Sequence, residues 1–292
     1  MTGHDAPQVR AQRAYWLLSL GAIAVALVGL LVGSITVGFS DLWHMIEVRL
    51  GIANDERLTD SVLWAIRLPR VLAGLIAGAG LGMAGVALQG SFRNRMADPH
   101  LVGVAPAAGL GAVVGIALTP AGGPPLIMML VAGAGGIGLA LLMRRIAENV
   151  TESGQLILVG IALGFALLAL LGAIVLAWDS PRVPTFTFWV FGGLSGVTWS
   201  TLRAAVPLVA VGGAGVIAVG RSLDVLALGE DEARHLGIDV PQLRLVTLSS
   251  VGLIVGGAVG LAGVIGFVGL VVPMVIRSWV GPAHRRLAIL AA

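Results

Sequence analysis

From Val71 to Gly90 the chain runs for 20 residues without a charged side chain, through VLAGLIAGAGLGMAGVALQG. That is the length a helix needs to cross a bilayer core of about 30 Å, so the run predicts a membrane span. It belongs to a longer stretch, Arg67 to Gly109, in which a glycine-laden apolar segment leads to a short polar knot and a second apolar run. The remainder is of the same kind: 57% of residues are hydrophobic, 11% are charged and the mean hydropathy is +0.98. A soluble domain carries about 25% charged residues, so the bulk of this chain belongs in lipid.

Composition also excludes chemistry. There is no cysteine, hence no disulfide framework and no thiolate metal site. Every basic residue is arginine. Without lysine there is no Walker A phosphate loop and no Schiff base, so the chain is not expected to hydrolyse ATP by itself. The pI of 10.8 invites a nucleic-acid reading, yet the net charge is only +3 and no basic stripe interleaved with aromatics is present. The arginines read as topological anchors, and no nucleic-acid partner is expected.

Residues 1–13 read as a polar cytoplasmic tail, and residues 14–292 as one transmembrane domain. The first apolar run, Ala14 to Phe39, is too long for a signal peptide and lacks a small-residue cleavage site. Further spans are expected at Val71–Gly90, Leu101–Leu118, Leu126–Met143, Leu156–Ala177, Ala204–Val219, Val246–Ala262 and Ile265–Val280. With the N-terminus inside, alternation puts Arg10, Arg13, Arg93, Arg95, Arg144, Arg145, Arg221, Arg234, Arg244, Arg277, Arg285 and Arg286 in the cytoplasm. Only Arg49, Arg57, Arg67, Arg70, Arg182 and Arg203 fall outside, and the pair Arg67 and Arg70 runs against the positive-inside bias. Trp16, Trp43, Trp64, Trp178, Trp189, Trp199 and Trp279 stand near span ends, at headgroup level. Gly74, Gly78 and Gly82, and again Gly252, Gly256 and Gly260, recur four apart, the spacing that lets helix backbones approach closely in a membrane.

Two G-x-G-x-x-G matches, at Gly80 and Gly133, lie inside apolar spans and carry no dinucleotide meaning. No acidic residue, histidine or arginine is expected well inside a span, Arg277 being a boundary case, which disfavours an ion-coupled secondary transporter and a membrane-embedded hydrolase. The histidines have no metal-ligand spacing. The most informative polar piece is Arg221 to Arg244, RSLDVLALGEDEARHLGIDVPQLR. It reads as two short helices. Leu223, Leu226 and Leu228 give the first an apolar face and Gly229 stops it; Glu230, Asp231 and Glu232 open the second, which ends at Gly237. The piece is either a surface loop or a docking element for a cytoplasmic partner.

RLPRVLAG at Arg67, GMAGVALQG at Gly82, RNRMADPHLVGV at Arg93, FWVFGGLSG at Phe188, LGEDEARHLGI at Leu228 and GLAGVIGFVGLVVPMVIR at Gly260 resemble, in order, the FecCD-type permeases of ABC importers for iron-siderophores, haem and cobalamin. The resemblance implies an all-α polytopic helix bundle in the inner membrane. It implies a homodimer whose cytoplasmic loop receives a separate ABC ATPase, where ATP is bound, and which meets an extracytoplasmic substrate-binding protein. Leu228, Gly229, Glu230, Ala233, Leu236 and Gly237 would form the ATPase-coupling element. Gly74, Gly78, Gly82, Gln89, Asn94, Asp98, Pro99, Gly266 and Pro273 would serve the pathway and its helix packing, with no catalytic or metal site. Outer acidic residues such as Asp55 and Glu56 would face the binding protein.

The chain departs from the family pattern in places. Arg95 stands for a helix-ending proline, so Pro99 is expected to do more of the turning, and Val264, Met274 and Ala283 replace a proline, a histidine and an aspartate. About eight spans are read where the resemblance implies about ten, and Arg286 to Ala292 begins what should be another, so the expectation is a chain incomplete at its C-terminus.

Overall fold

A computed structural model describes residues 6–55, 57–120, 123–147, 153–177 and 192–292, and among these the regular structure is helical, with no strand. His4, Glu56, Trp178, Arg182, Trp189 and the Phe188–Phe191 start of the FWVFGGLSG stretch lie outside the described residues.

Helix α1 (Ala6–Leu31) starts inside the expected tail and stops short of Phe39. The sequence after it, VGSITVG, is built from β-branched residues, serine and glycine, all weak helix formers. A short amphipathic helix, α2 (Phe39–Arg49), follows. Helix α3 (Leu58–Val62) then runs through a π-turn at Leu63–Arg67 into α4 (Leu68–Ser91), giving 34 continuous residues. Pro69 explains the π-turn: it has no N–H for the carbonyl four residues back, and the wider turn, with Leu68 N–H bonded to the Leu63 carbonyl, absorbs the mismatch.

Next come α5 (Val104–Leu118), α6 (Pro125–Ala147), α7 (Ser153–Ala177) and α8 (Trp199–Leu226). The chain closes with α9 (Glu230–His235), α10 (Val240–Ala262), α11 (Val268–Val280) and α12 (His284–Ala291). Six stretches are long and apolar enough to span a membrane; α5 and α11 are apolar but shorter. Helix α10 is the central post, with 78% of its apolar window buried, whereas α1 has 6% and is peripheral.

Backbone contact between glycines makes the centre tight. A methyl at Gly252 would lie 2.8 Å from the Gly136 carbonyl carbon, and one at Gly256 would lie 2.5 Å from the Gly133 nitrogen. The glycine stripe of α10 therefore rides on α6. On α4 the tight positions are Gly80, against Ile254 and Val209, and Gly85, where a methyl would overlap the Gly269 backbone. Gly82 also packs closely, on Ala291 and Val272, whereas among the described residues a methyl at Gly74 would meet only Leu194 and one at Gly78 nothing within 4 Å. The seam thus follows both flanks of α4, one meeting α8 and α10 and the other α11 and α12, instead of the single four-residue stripe that spacing suggests.

Two expected full spans stop short of full length, as half-helices. Helices of 15 and 13 residues rise about 22 and 20 Å, short of a bilayer core of about 30 Å. Both begin inside the bundle. Gly103, before α5, packs on Gly160 and Gly164 of α7; Gly269, in the first turn of α11, packs on Pro99, Asp98 and the Leu81 carbonyl. Leu81 is about 15 Å along the helix axis from the end of α4, so the connection 92–103 folds back to that depth.

Candidate functional site

At the end of the bundle where α4, α6 and α8 finish, the leucines of α8 hold a small separate core. Leu223 and Leu226 pack with Ala233, Val240 and Leu243, and Val219, Val225 and Ile238 flank them. This packing keeps α8 helical through Leu226, so the first of the two expected short helices is the last part of α8. Leu228 leaves that face: it is 69% exposed, and Leu236 is 66% exposed. Between them α9 starts at Gly229 (φ +152°) and ends before Gly237 (φ +82°). The amide of Gly237 bonds to the Arg234 carbonyl and that of Ile238 to the Ala233 carbonyl, a Schellman closure that needs the left-handed glycine.

Helix α9 is also tied to the central post. Arg244 of α10 donates to Glu230 Oε1 at 2.5 Å, and Arg234 lies 3.7 Å from the same carboxylate. Asp239 caps α10 by accepting from the Gln242 amide, with Pro241 in the first turn. An exposed apolar pair thereby flanks a short helix joined by an ion pair to the helix that crosses the whole bundle.

Beside this element α4 ends at Ser91, and the turn is made by Arg93 at φ +49°. Asn94 N–H bonds to the Gln89 carbonyl and Arg93 N–H to the Gly90 carbonyl, while the Asn94 side chain accepts from Met96 N–H at 2.8 Å. The absent family proline is thus replaced by a Schellman closure and an Asx turn that end three residues before Pro99, which was expected to turn the chain. Pro99 instead sits buried at the junction of the half-helices. There Asp98, 2% exposed, accepts from His100 N–H at 2.8 Å, and Gly266 and Gly269 press on His100, Pro99 and Asp98. Ionisable groups therefore do reach the interior, through a connection that hydropathy alone places outside it.

Gln89, buried on α4, holds α11 at two points: its Nε2 approaches the Gly269 carbonyl at 3.4 Å and its Oε1 accepts from Arg277 Nη2 at 3.0 Å. Pro273 is buried within α11, and Met274, where the family has histidine, is 69% exposed on the outside of the bundle. Among the described residues no group of histidines or carboxylates could hold a metal ion.

At the opposite end the arginine pair that opposes the charge bias is consumed internally. Arg67, 8% exposed, donates to the carbonyls of Leu30, Leu31 and Ile35 and so closes the end of α1; Arg70 reaches the Leu194 and Ser195 carbonyls at 3.3 and 3.4 Å. Such capping was invisible in the sequence, because the carbonyls lie more than 30 residues away. His44 bridges Asp60, which is fully buried, at 2.9 Å and Asp55 at 3.4 Å, so Asp55 is held within this chain.

The profile of the FecCD transport family matches residues 21–292. The cobalamin import system permease protein BtuC of Halobacterium salinarum is 38% identical over 79% of this chain and 62% of its own length. The hemin transport system permease protein HmuU of Yersinia pestis is 34% identical over 92% of this chain and 81% of its own. The chain thus spans less than two thirds of the first relative and about four fifths of the second. A solved inward-facing conformation of a transporter described as of the metal-chelate ABC type superposes with a TM-score of 0.79 at 26% identity, covering 96% of this chain and 85% of that one. With its bundle of apolar helices, its two half-helices and its exposed end element, the chain belongs to the FecCD transport family and is a multi-pass membrane permease, not an enzyme.

Proposed function

We propose that this permease carries a bulky iron chelate, haem or cobalamin into the cytoplasm as the membrane subunit of an ABC importer. The N-terminus and α9 lie on the cytoplasmic side of the inner membrane, a separate ATPase docks on α9, and a substrate-binding protein delivers cargo at the other face to a homodimer. The names of the relatives, which concern cobalamin and hemin, support the cargo class.

One observation carries the mechanism: the exposed Leu228 and Leu236 flank a short helix joined through Glu230 and Arg244 to α10. Closure of the ATPase would push α9, and α10 would transmit the push about 35 Å to the connection 263–267. That connection leads into α11, whose first turn holds the Asp98–Pro99 segment, so a rigid-body tilt of the post reshapes the junction of the half-helices. Leucines at a docking surface lose water when covered, which makes them suited to receive a partner.

Reconstitution in proteoliposomes with the ATPase and binding protein tests the proposal. Uptake should require ATP and both partners and should persist with an ionophore; uptake without ATP would overturn it. The buried Asp98 keeps an ion-coupled carrier as the second reading, and collapse of uptake by the ionophore would favour that reading. Leu236→Glu should abolish ATPase capture in a pull-down while leaving the melting temperature within about 2 °C, because an exposed side chain changes stability little. Gly237 is a poorer test site, since any side chain at φ +82° is strained.

A further inference from the structure

Arg93 and Arg95, from the turn after α4, and Arg277, from α11, meet at one cavity. It has a volume of about 250 Å³ and lies at the α9 end of the bundle, lined by Gln89, Arg93, Asn94, Arg95, Arg277 and His284. Arg95 and Arg277 stand close enough to repel one another. Among the described residues no carboxylate pairs with Arg93, Arg95 or Arg277, and the nearby Asp224 is engaged by the ring and backbone N–H of His284, at 2.8 and 2.7 Å. Arg277 is oriented by Gln89 Oε1, and its Nε is buried without a hydrogen-bond partner. Gathering guanidiniums without a counter-charge is unfavourable, so the arrangement calls for an anion.

We propose that this cavity binds a phosphate-class oxyanion, with Arg93, Arg95 and Arg277 as its donors and Gln89 as the residue that positions Arg277. Guanidinium forks match the geometry of phosphate oxygens and bond them in pairs. The volume admits one such group and not a whole chelate, since pockets for drug-sized ligands run about 300–1,000 Å³. Basic pockets between helices at the cytoplasmic headgroup level are also where acidic lipid headgroups bind. The phosphate has two sources, the headgroup of an anionic lipid or a soluble phosphate. Arg95, standing where the resemblance places proline, supplies a donor that this chain has in addition.

The test has two arms on the intact purified chain. In lipid nanodiscs, native mass spectrometry compares retention of phosphatidylglycerol with phosphatidylcholine. In detergent without added lipid, calorimetry follows titration with inorganic pyrophosphate. Expected is a preference of about tenfold or more for phosphatidylglycerol, or saturable pyrophosphate binding that weakens with salt, either of which sustains the site and names its source. Arg95→Gln and Arg93→Gln, both at exposed positions, should each lower the positive signal about tenfold; Arg203→Gln, at the far end, should not. Binding of neither probe, or binding that Arg95→Gln and Arg277→Gln leave unchanged in protein of normal melting temperature, overturns the proposal. Neither arm needs transport, so the result is separate from that of the import reading.

Discussion

Helix α5 enters its first turn through Gly103 at φ +88°, whereas α11 enters through Phe267 at φ +68°. Both half-helices start inside the bundle, and their first turns share the Asp98–Pro99–His100 segment, but their surroundings differ. A methyl at Gly103 would lie 3.0 Å from the Gly160 carbonyl and 3.1 Å from Gly164, so only glycine fits and the start of α5 is walled in by backbone. Phe267 is 67% exposed and holds a conformation that costs an L-residue about 1–2 kcal/mol. One start is a fixed post, and the other is a strained, uncovered turn at the end of the path from α9. The contrast predicts that α11 moves during transport and that α5 is the frame it moves against.

The largest expected effect tests the fixed side. Gly103→Val would put a β-branched residue in the left-handed region and against two glycines of α7, at a cost of about 3 kcal/mol or more. Little monodisperse protein should survive size-exclusion chromatography. A folded variant with unchanged melting temperature would show that α5 is not locked.

How much of this contrast was legible in the sequence depends on the type of signal. The long runs at Val71–Gly90 and Val246–Ala262 mark helices because their hydropathy matches a bilayer, and they are helical through α4 and α10. Leu101–Leu118 and Ile265–Val280 are as apolar as full spans, since a helix that starts midway faces protein and lipid just as one that crosses does; only Pro99, Gly103, Gly263 and Gly266 hint at the interruption. The stops at Gly229 and Gly237 were readable because left-handed ends favour glycine, whereas the direction of Leu228 depended on Leu243 and Val240 filling the face that Leu223 and Leu226 share. The arginine cavity was the least legible: Arg93 and Arg277 are far apart in the chain, and local spacing holds no record of such a meeting.

A smaller effect tests the shared junction. In Gly269→Ala the new methyl would lie 2.7 Å from Pro99 Cδ and 3.1 Å from the Leu81 carbonyl, so either the half-helices part or α4 gives way. The expected loss is about 1–3 kcal/mol, a fall in melting temperature of several degrees by tryptophan fluorescence. Uptake should fall further than stability, because the substitution strikes the contact through which α11 meets the Asp98 segment. An equal fall in both would reduce the junction to ordinary packing.

The smallest effect, and the only one of opposite sign, falls on the strained side. Phe267→Gly removes the left-handed penalty of about 1 kcal/mol or more and gives back part of it as the extra backbone freedom of glycine in the unfolded chain. Phe267 is mostly exposed, so little burial is lost, and the melting temperature should rise by about 1–3 °C. If the strain helps to drive the turn between two arrangements, the more stable variant should also transport more slowly at full ATPase activity. A rise in stability with unchanged uptake would leave Phe267 a tolerated irregularity, and the two half-helices would then differ in strain without differing in motion.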